Sequence, residues 1–171
     1  MHRSTQVSLL LMAVAITIGS ALHPLAAQTP TSDACRLVTE AEFESVLGGK
    51  VTPQSTSIGE VQTCSARAQA SSATVRLFKR TGDPSGAKEQ AGIEALKKMG
   101  AQVDVKTSGG ITCVTTVPPA NMAARMGFGT SCTVMSKAPI YAVIETRATS
   151  QKDLVPMEKL RSVAEKMAGR M

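Results

Sequence analysis

The sequence predicts an α+β domain: a single, mainly antiparallel sheet with helices packed on a face, held by two disulfides. Three observations predict it. The apolar pattern switches between helical and strand periods in the order α-β-β-α-β-β-β-β-α. Four cysteines follow an N-terminus of export type. What remains after that N-terminus, about 144 residues, is one domain's worth of chain.

Residues 1–27 read as a secretory signal peptide. His2 and Arg3 supply a short basic start. Residues 7–22 are apolar apart from Ser8, Thr17, Gly19 and Ser20. Small residues in His23-Pro24-Leu25-Ala26-Ala27-Gln28 put a cleavage point after Ala27. The apolar run is about 16 residues, short of the ~20 that span a bilayer, and no later stretch is apolar enough. The expectation is an exported chain, periplasmic or extracellular, with no transmembrane segment once the signal is removed. Residues 28–33 read as a flexible polar leader and 34–171 as the single domain.

The first helix is announced by agreeing local signals. Thr39 followed by Glu42 forms a capping box, and Val38 and Phe43 are spaced for a hydrophobic staple. Glu40, Glu42 and Glu44 favour the positive end of a helix. Phe43, Val46 and Leu47 make one apolar stripe, and Gly48-Gly49 stops it. Residues 50–59 read as a turn region or edge strand. Residues 61–70 and 73–80 read as strands, with Cys64, Ala66 and Ala68 on one face of the first. In the second, Val75 and Leu77 alternate with Thr74, Arg76 and Phe78.

Asp83-Pro84 reads as the start of a helix running to about Met99, with Ala91, Ala95, Leu96 and Met99 facing the core. Val103 and Val105 suggest a short strand, and Ser108-Gly109-Gly110 a turn. Residues 111–117 are β-rich and end at Pro118-Pro119. Asn121 to Met126 suggests one helical turn. Residues 130–136 and 140–147 read as two more strands. The last helix starts at Pro156, since proline inside it would break it. Leu160, Val163, Ala164 and Met167 form its stripe.

Composition narrows the chemistry. Removal of residues 1–27 takes away both histidines and one base, Arg3, so the formal charge falls one below the chain's +6. Residues 33–60 carry five acids and two bases, and residues 61–171 carry sixteen bases and eight acids. No basic cluster forms a run, so the charge reads as a solvated surface. Three phenylalanines, one tyrosine and no tryptophan leave little for base stacking, and no nucleic-acid partner is expected.

Without histidine there is no Ser-His or Cys-His dyad and no histidine metal site, so no cofactor or metal is expected. Glu40, Glu42 and Glu44 raise the alternative of a small carboxylate hydrolase, but first-turn acids explain them. Ser85–Lys88 matches S-x-x-K in the first turn of a surface helix. Met122 and Met126, with Met135 downstream, raise the further alternative of Cu(I) binding. Methionine as gap filler in an aromatic-poor core explains them as well.

Cys35, Cys64, Cys113 and Cys132 read as two disulfides, for which the sequence allows three pairings. Nearness favours Cys113–Cys132. Residues 109–132 form a long apolar connection punctuated by proline and glycine, of the kind that carries binding surfaces. Pro118, Pro119, Met122, Met126 and Phe128 are its candidate surface.

The run Cys35-Arg36-Leu37-Val38-Thr39-Glu40-Ala41-Glu42-Phe43-Glu44-Ser45-Val46-Leu47-Gly48 resembles the opening of the LpqN-type family of small bacterial cell-envelope proteins. Cys35, Leu37, Thr39, Glu42, Leu47 and Gly48 match that opening, and Cys64 matches the family's second cysteine. The resemblance implies a PsbP-like α+β sandwich, a Cys35–Cys64 disulfide, and an envelope-associated binding role with no shared enzymatic activity. Ala66 stands where the family often has tryptophan. Many members are lipidated at a cysteine, but Thr31-Ser32-Asp33-Ala34 before Cys35 is not a lipobox. The reading that results is a secreted or periplasmic, non-enzymatic domain that binds a protein or envelope component.

Overall fold

A computed structural model describes residues 33–79, 87–137 and 139–171. The expected signal peptide, residues 1–27, and residues 28–32 of the expected leader lie outside the described residues, as does the expected helix start at Asp83-Pro84. Among the described residues, five α-helices, α1 (Asp33–Leu37), α2 (Glu40–Leu47), α3 (Ala87–Lys98), α4 (Ala123–Met126) and α5 (Met157–Arg170), accompany seven strands. The strands are β1 (Gln54–Ile58), β2 (Val61–Arg67), β3 (Ser71–Lys79), β4 (Gln102–Ser108), β5 (Ile111–Val117), β6 (Phe128–Met135) and β7 (Ile140–Ala148). They form one antiparallel sheet in the order β1-β2-β3-β7-β6-β5-β4, so the expected α+β class holds.

The topology is two meanders joined side by side. Strands β1 to β3 run by hairpins to the middle of the sheet. The segment containing α3 then carries the chain to the far edge, and β4 to β7 return by hairpins until β7 pairs β3. Strand β1 is the edge strand foreseen within residues 50–59; its Gln-Ser-Thr-Ser-Ile sequence is mostly exposed.

Period-two alternation builds the core. Register aligns Cys64, Val75, Ile144, Cys132 and Cys113 in one row across five strands, all fully buried. Each end of that row is cross-linked: Cys64 to Cys35 in α1, and Cys132 to Cys113 on the neighbouring strand. The nearness pairing and the pairing implied by the family resemblance are therefore both present.

Helices α1 and α2 pack over β2 and β3, and α5 packs over β5 and β6. Phe43, Val46, Leu160, Val163, Ala164 and Met167 are buried among the core strands. Each large apolar side chain so buried contributes about 1.5–3 kcal/mol. The capping box of α2 is formed as its sequence predicts: Thr39 Oγ1 accepts from Glu42 N–H at 3.3 Å, and Glu42 Oε2 accepts from Thr39 N–H at 2.9 Å. Gly48 closes the helix in the left-handed region at φ 76°. Pro156 sits just outside α5, and its carbonyl accepts from Leu160 N–H at 3.2 Å.

Two local expectations change. Asp33, assigned to the leader, opens α1, a five-residue helix that no periodicity announces. Its N–H donates to Gln62 Oε1 at 2.8 Å, and Cys35 ties the same turn to β2, so tertiary links hold a helix too short to persist alone. In α3, Ala91, Ala95 and Met99 are exposed rather than core-facing, while Ile93 is buried and Leu96 half-buried. The inward pair is the bulkier i, i+3 set, which removes more apolar area from water than the alanines would.

Candidate functional surface

The segment singled out in the sequence folds down against the sheet end. Pro118 is buried, and Pro119, Met122, Met126 and Phe128 are half-buried. Met122 N–H donates to Pro119 O at 2.8 Å, and Met126 N–H to Met122 O at 2.9 Å, which winds the stretch into a turn and then α4. Gly127, at φ 67°, lets the chain turn into β6; a Cβ there would lie 3.4 Å from Ala148 O. The five residues are thus brought together at one end of the sheet, but what they present outward is largely Ala120, Asn121, Ala124 and Arg125.

The three clustered glutamates separate in role. Glu42 is buried and gripped by Arg170, with Nη1 2.7 Å from Oε2 and Nη2 2.8 Å from Oε1. Lys166 Nζ lies 3.6 Å from the same carboxylate. The Arg170 hydrogen bonds, aided by the Thr39 N–H and against the cost of burial, pull the Glu42 pKa down to about 2. A carboxylate so held has no proton to give near neutral pH, so Glu42 is not a general acid. Glu44 pairs with Lys50 at 3.4 Å, and Glu40 is exposed.

The methionines divide as well. Met157 and Met167 are core, Met99 and Met135 are exposed, and Met122 and Met126 stand one turn apart. Among the described residues no group of three or more His, Cys, Asp or Glu side chains could hold a metal ion. Ser85 of the S-x-x-K match lies outside the described residues.

Clefts among the described residues lie elsewhere on the surface. One, about 620 Å³, lies between the α1–α2 corner (Cys35, Val38, Thr39, Glu40) and residues 53–56. Another, about 490 Å³, lies between residues 47–50 and the β2–β3 turn, with Asp153 on its wall. Neither reaches residues 118–128.

The surface that sequence reasoning missed is the second face of the sheet. Helices α1, α2 and α5 all pack on the face that carries the cysteine row. On the other face Phe78 stacks on Tyr141, with ring centroids 4.9 Å apart and planes at 12°. Met135 is the register partner of Tyr141 and is 40% exposed. One row inward, Arg76 stands opposite Val143. Glu145 is held between two arginines, 3.3 Å from Arg76 Nη1 and 2.7 Å from Arg147 Nε. Hydroxyls fill the positions around them: Ser65 and Thr74 lie 3.3 Å apart, Thr107 and Thr112 3.1 Å apart. Most of these side chains are half-exposed. The alternation of Thr74, Arg76 and Phe78 in β3 was the available signal, but only the register shows that β7 sets Tyr141, Val143 and Glu145 beside them.

Such a face offers an aromatic platform at one end, a charged Arg–Glu–Arg cluster in the middle and a field of hydroxyls. Among the described residues, these are groups suited to contact and hydrogen bonding. Two disulfides fit an oxidising compartment, and among the described residues no helix is long and apolar enough to cross a membrane. Compared with protein-family models, with curated proteins and with solved structures, the chain matches none.

Proposed function

We propose that the protein is an exported, non-enzymatic binding domain of the cell envelope, in the manner of the LpqN-type family that its opening resembles. Its partner is a protein or envelope component met outside the cytoplasm, in the periplasm or beyond. The observation that carries the reading is the second sheet face, where Phe78, Tyr141 and Met135 lie beside the Arg76–Glu145–Arg147 cluster. Apolar, aromatic and arginine side chains half-exposed together are what an interface core uses. The scaffold behind that face is cross-linked at both ends of one residue row, so the face is presented with little freedom to lose on binding. Residues 118–128 cap the sheet end and position β6 in this reading.

Co-sedimentation of the purified protein with isolated cell envelopes tests it. Binding is expected, and Tyr141→Ala combined with Arg76→Glu should weaken it at least tenfold while Met122→Leu leaves it unchanged. Absence of binding overturns the reading. So does turnover of a hydrolase substrate that a single Glu or Ser substitution abolishes.

A further inference from the structure

Strand β4 is an outer strand of the sheet, and the hairpin it forms with β5 decides which of its backbone groups face outward. The two strands are joined by Gly109 and Gly110 at φ 61° and 75°, a two-residue loop whose flanking residues exchange N–H and C=O bonds. Gly110 O accepts from Met135 N–H at 3.2 Å, so the even-numbered positions here turn toward β6 and the odd ones of β5 toward β4. The register Ser108↔Ile111, Lys106↔Cys113 and Asp104↔Thr115 then points the backbone of Ser108, Lys106 and Asp104 inward. Val103, Val105 and Thr107 direct theirs away from the sheet. Asp104, Val105, Lys106 and Thr107 are all exposed.

We infer that this edge pairs with β4 of a second copy of the chain, antiparallel, about a twofold axis at Val105. The symmetry fits the backbone. It sets Val105 against Val105 and Val103 against Thr107, all of them outward-facing residues, for about six new hydrogen bonds. It also fits the charges. Between those pairs, Asp104 stands directly across from Lys106 of the second copy, and the same contact repeats on the other side of the axis. A twofold at residue 104 or 106 would instead oppose Asp to Asp or Lys to Lys. Lys106 already meets Glu158 at 2.8 Å on the α5 side, so a second carboxylate would join an acid-lined ammonium. Single charges blunt an edge strand, but opposite charges two residues apart make it complementary to itself. The other edge, Gln54-Ser55-Thr56-Ser57-Ile58, has no charge and so carries no such code. This pairing is independent of the binding role proposed above; it would double the sheet face rather than occupy it.

An interface this short gives weak, concentration-dependent association. Sedimentation velocity on the purified protein should show the mass rise toward a dimer as concentration approaches about 1 mM, less so at high salt. Asp104→Lys alone and Lys106→Asp alone should each remain monomeric, while their equimolar mixture should form a heterodimer. Val105→Pro should be monomeric yet folded, because the Val105 N–H bonds nothing within the sheet and proline is tolerated at such edge positions. Amide exchange at Val103, Val105 and Thr107 should slow on concentration. A protein monomeric throughout the range overturns the inference. So does a dimer that survives all three substitutions, or a charge-reversed pair that does not associate when mixed; these last outcomes stand even if the proline variant fails to fold.

Discussion

Arg170, next to last in the chain, closes a two-pronged hydrogen-bonded pair on Glu42, 128 residues earlier, and its Nη1 also reaches Leu37 O at 2.7 Å. One guanidinium therefore ties the end of α5 to the last residue of α1 and to the first turn of α2. Glu42 serves two ends at once, since the same carboxylate caps its own helix through Thr39 N–H. The fork geometry suits arginine and not lysine.

This arrangement makes stability depend on acid. Glu42 has a folded pKa of about 2 against an ordinary 4.5, so its contribution is full above about pH 4.5 and is lost as pH falls through 2. The contribution is about 2 kcal/mol, less than the whole shift implies, because the Arg170 side chain is 34% exposed and water screens the pair. Arg170→Ala should lower stability by that amount near neutral pH in urea titrations. It should also flatten the loss between pH 4.5 and 2, which a mere packing defect would not do.

The two disulfides should be separable in their effects. Non-reduced peptide mapping should link Cys35 to Cys64 and Cys113 to Cys132, with no free thiol. They span 29 and 19 residues, so each contributes about 3–4 kcal/mol on loop closure alone. Replacing Cys35 and Cys64 by alanine should also loosen α1, because that short helix would then be held by single hydrogen bonds at its two ends, Asp33 to Gln62 and Arg170 to Leu37, and by its buried Ala34 and Leu37. Faster amide exchange in residues 33–37 than in β2 is the expected signature; replacing Cys113 and Cys132 should not produce it.

What could be read ahead of the structure was whatever is encoded locally. Thr39 and Glu42 are three residues apart, so the capping box is written in consecutive positions. Pro156 and the β-branched run of β5 are local in the same sense. Glu42's partner was not legible, because Arg170 belongs to a different helix at the other end of the chain. The facing of α3 was read only in part: Leu96 was expected to face inward, but Ala91, Ala95 and Met99 fit a stripe with it as well as Ile93 does, and only packing chooses between them. The second sheet face was hidden for a related reason. Phe78 and Tyr141 are strand residues of ordinary appearance until the β3–β7 register stacks them.

The hydroxyl of Thr130 should matter more than its size. Thr130 is fully buried in β6, and its Oγ1 donates to Val155 O at 2.8 Å, just before α5 begins. Its own carbonyl accepts from Thr146 Oγ1 at 3.1 Å. Thr130→Val keeps the shape but leaves the buried Val155 carbonyl without that donor, at a cost of about 1–3 kcal/mol. Thr130→Ser should retain the bond and lose less. Thermal or urea unfolding of the two variants side by side distinguishes a hydrogen-bond effect from a volume effect.

Gly92 is the reverse case, a residue whose replacement should help. It lies inside α3, and an added Cβ there would meet nothing within 4 Å. Gly92→Ala removes backbone freedom from the unfolded chain without any new clash, a gain of about 0.4–1 kcal/mol. Where the gain appears depends on how α3 is held. The helix meets the sheet at β4 and buries Ile93, while its neighbours Ala91, Glu94 and Ala95 face water. Among the described residues that is a light hold, and a helix lightly held opens below the global unfolding transition. Amide protection within α3 should therefore rise about two- to fivefold in Gly92→Ala while the midpoint of global unfolding scarcely moves. A rise in the global midpoint with unchanged α3 protection would show that α3 unfolds only with the core.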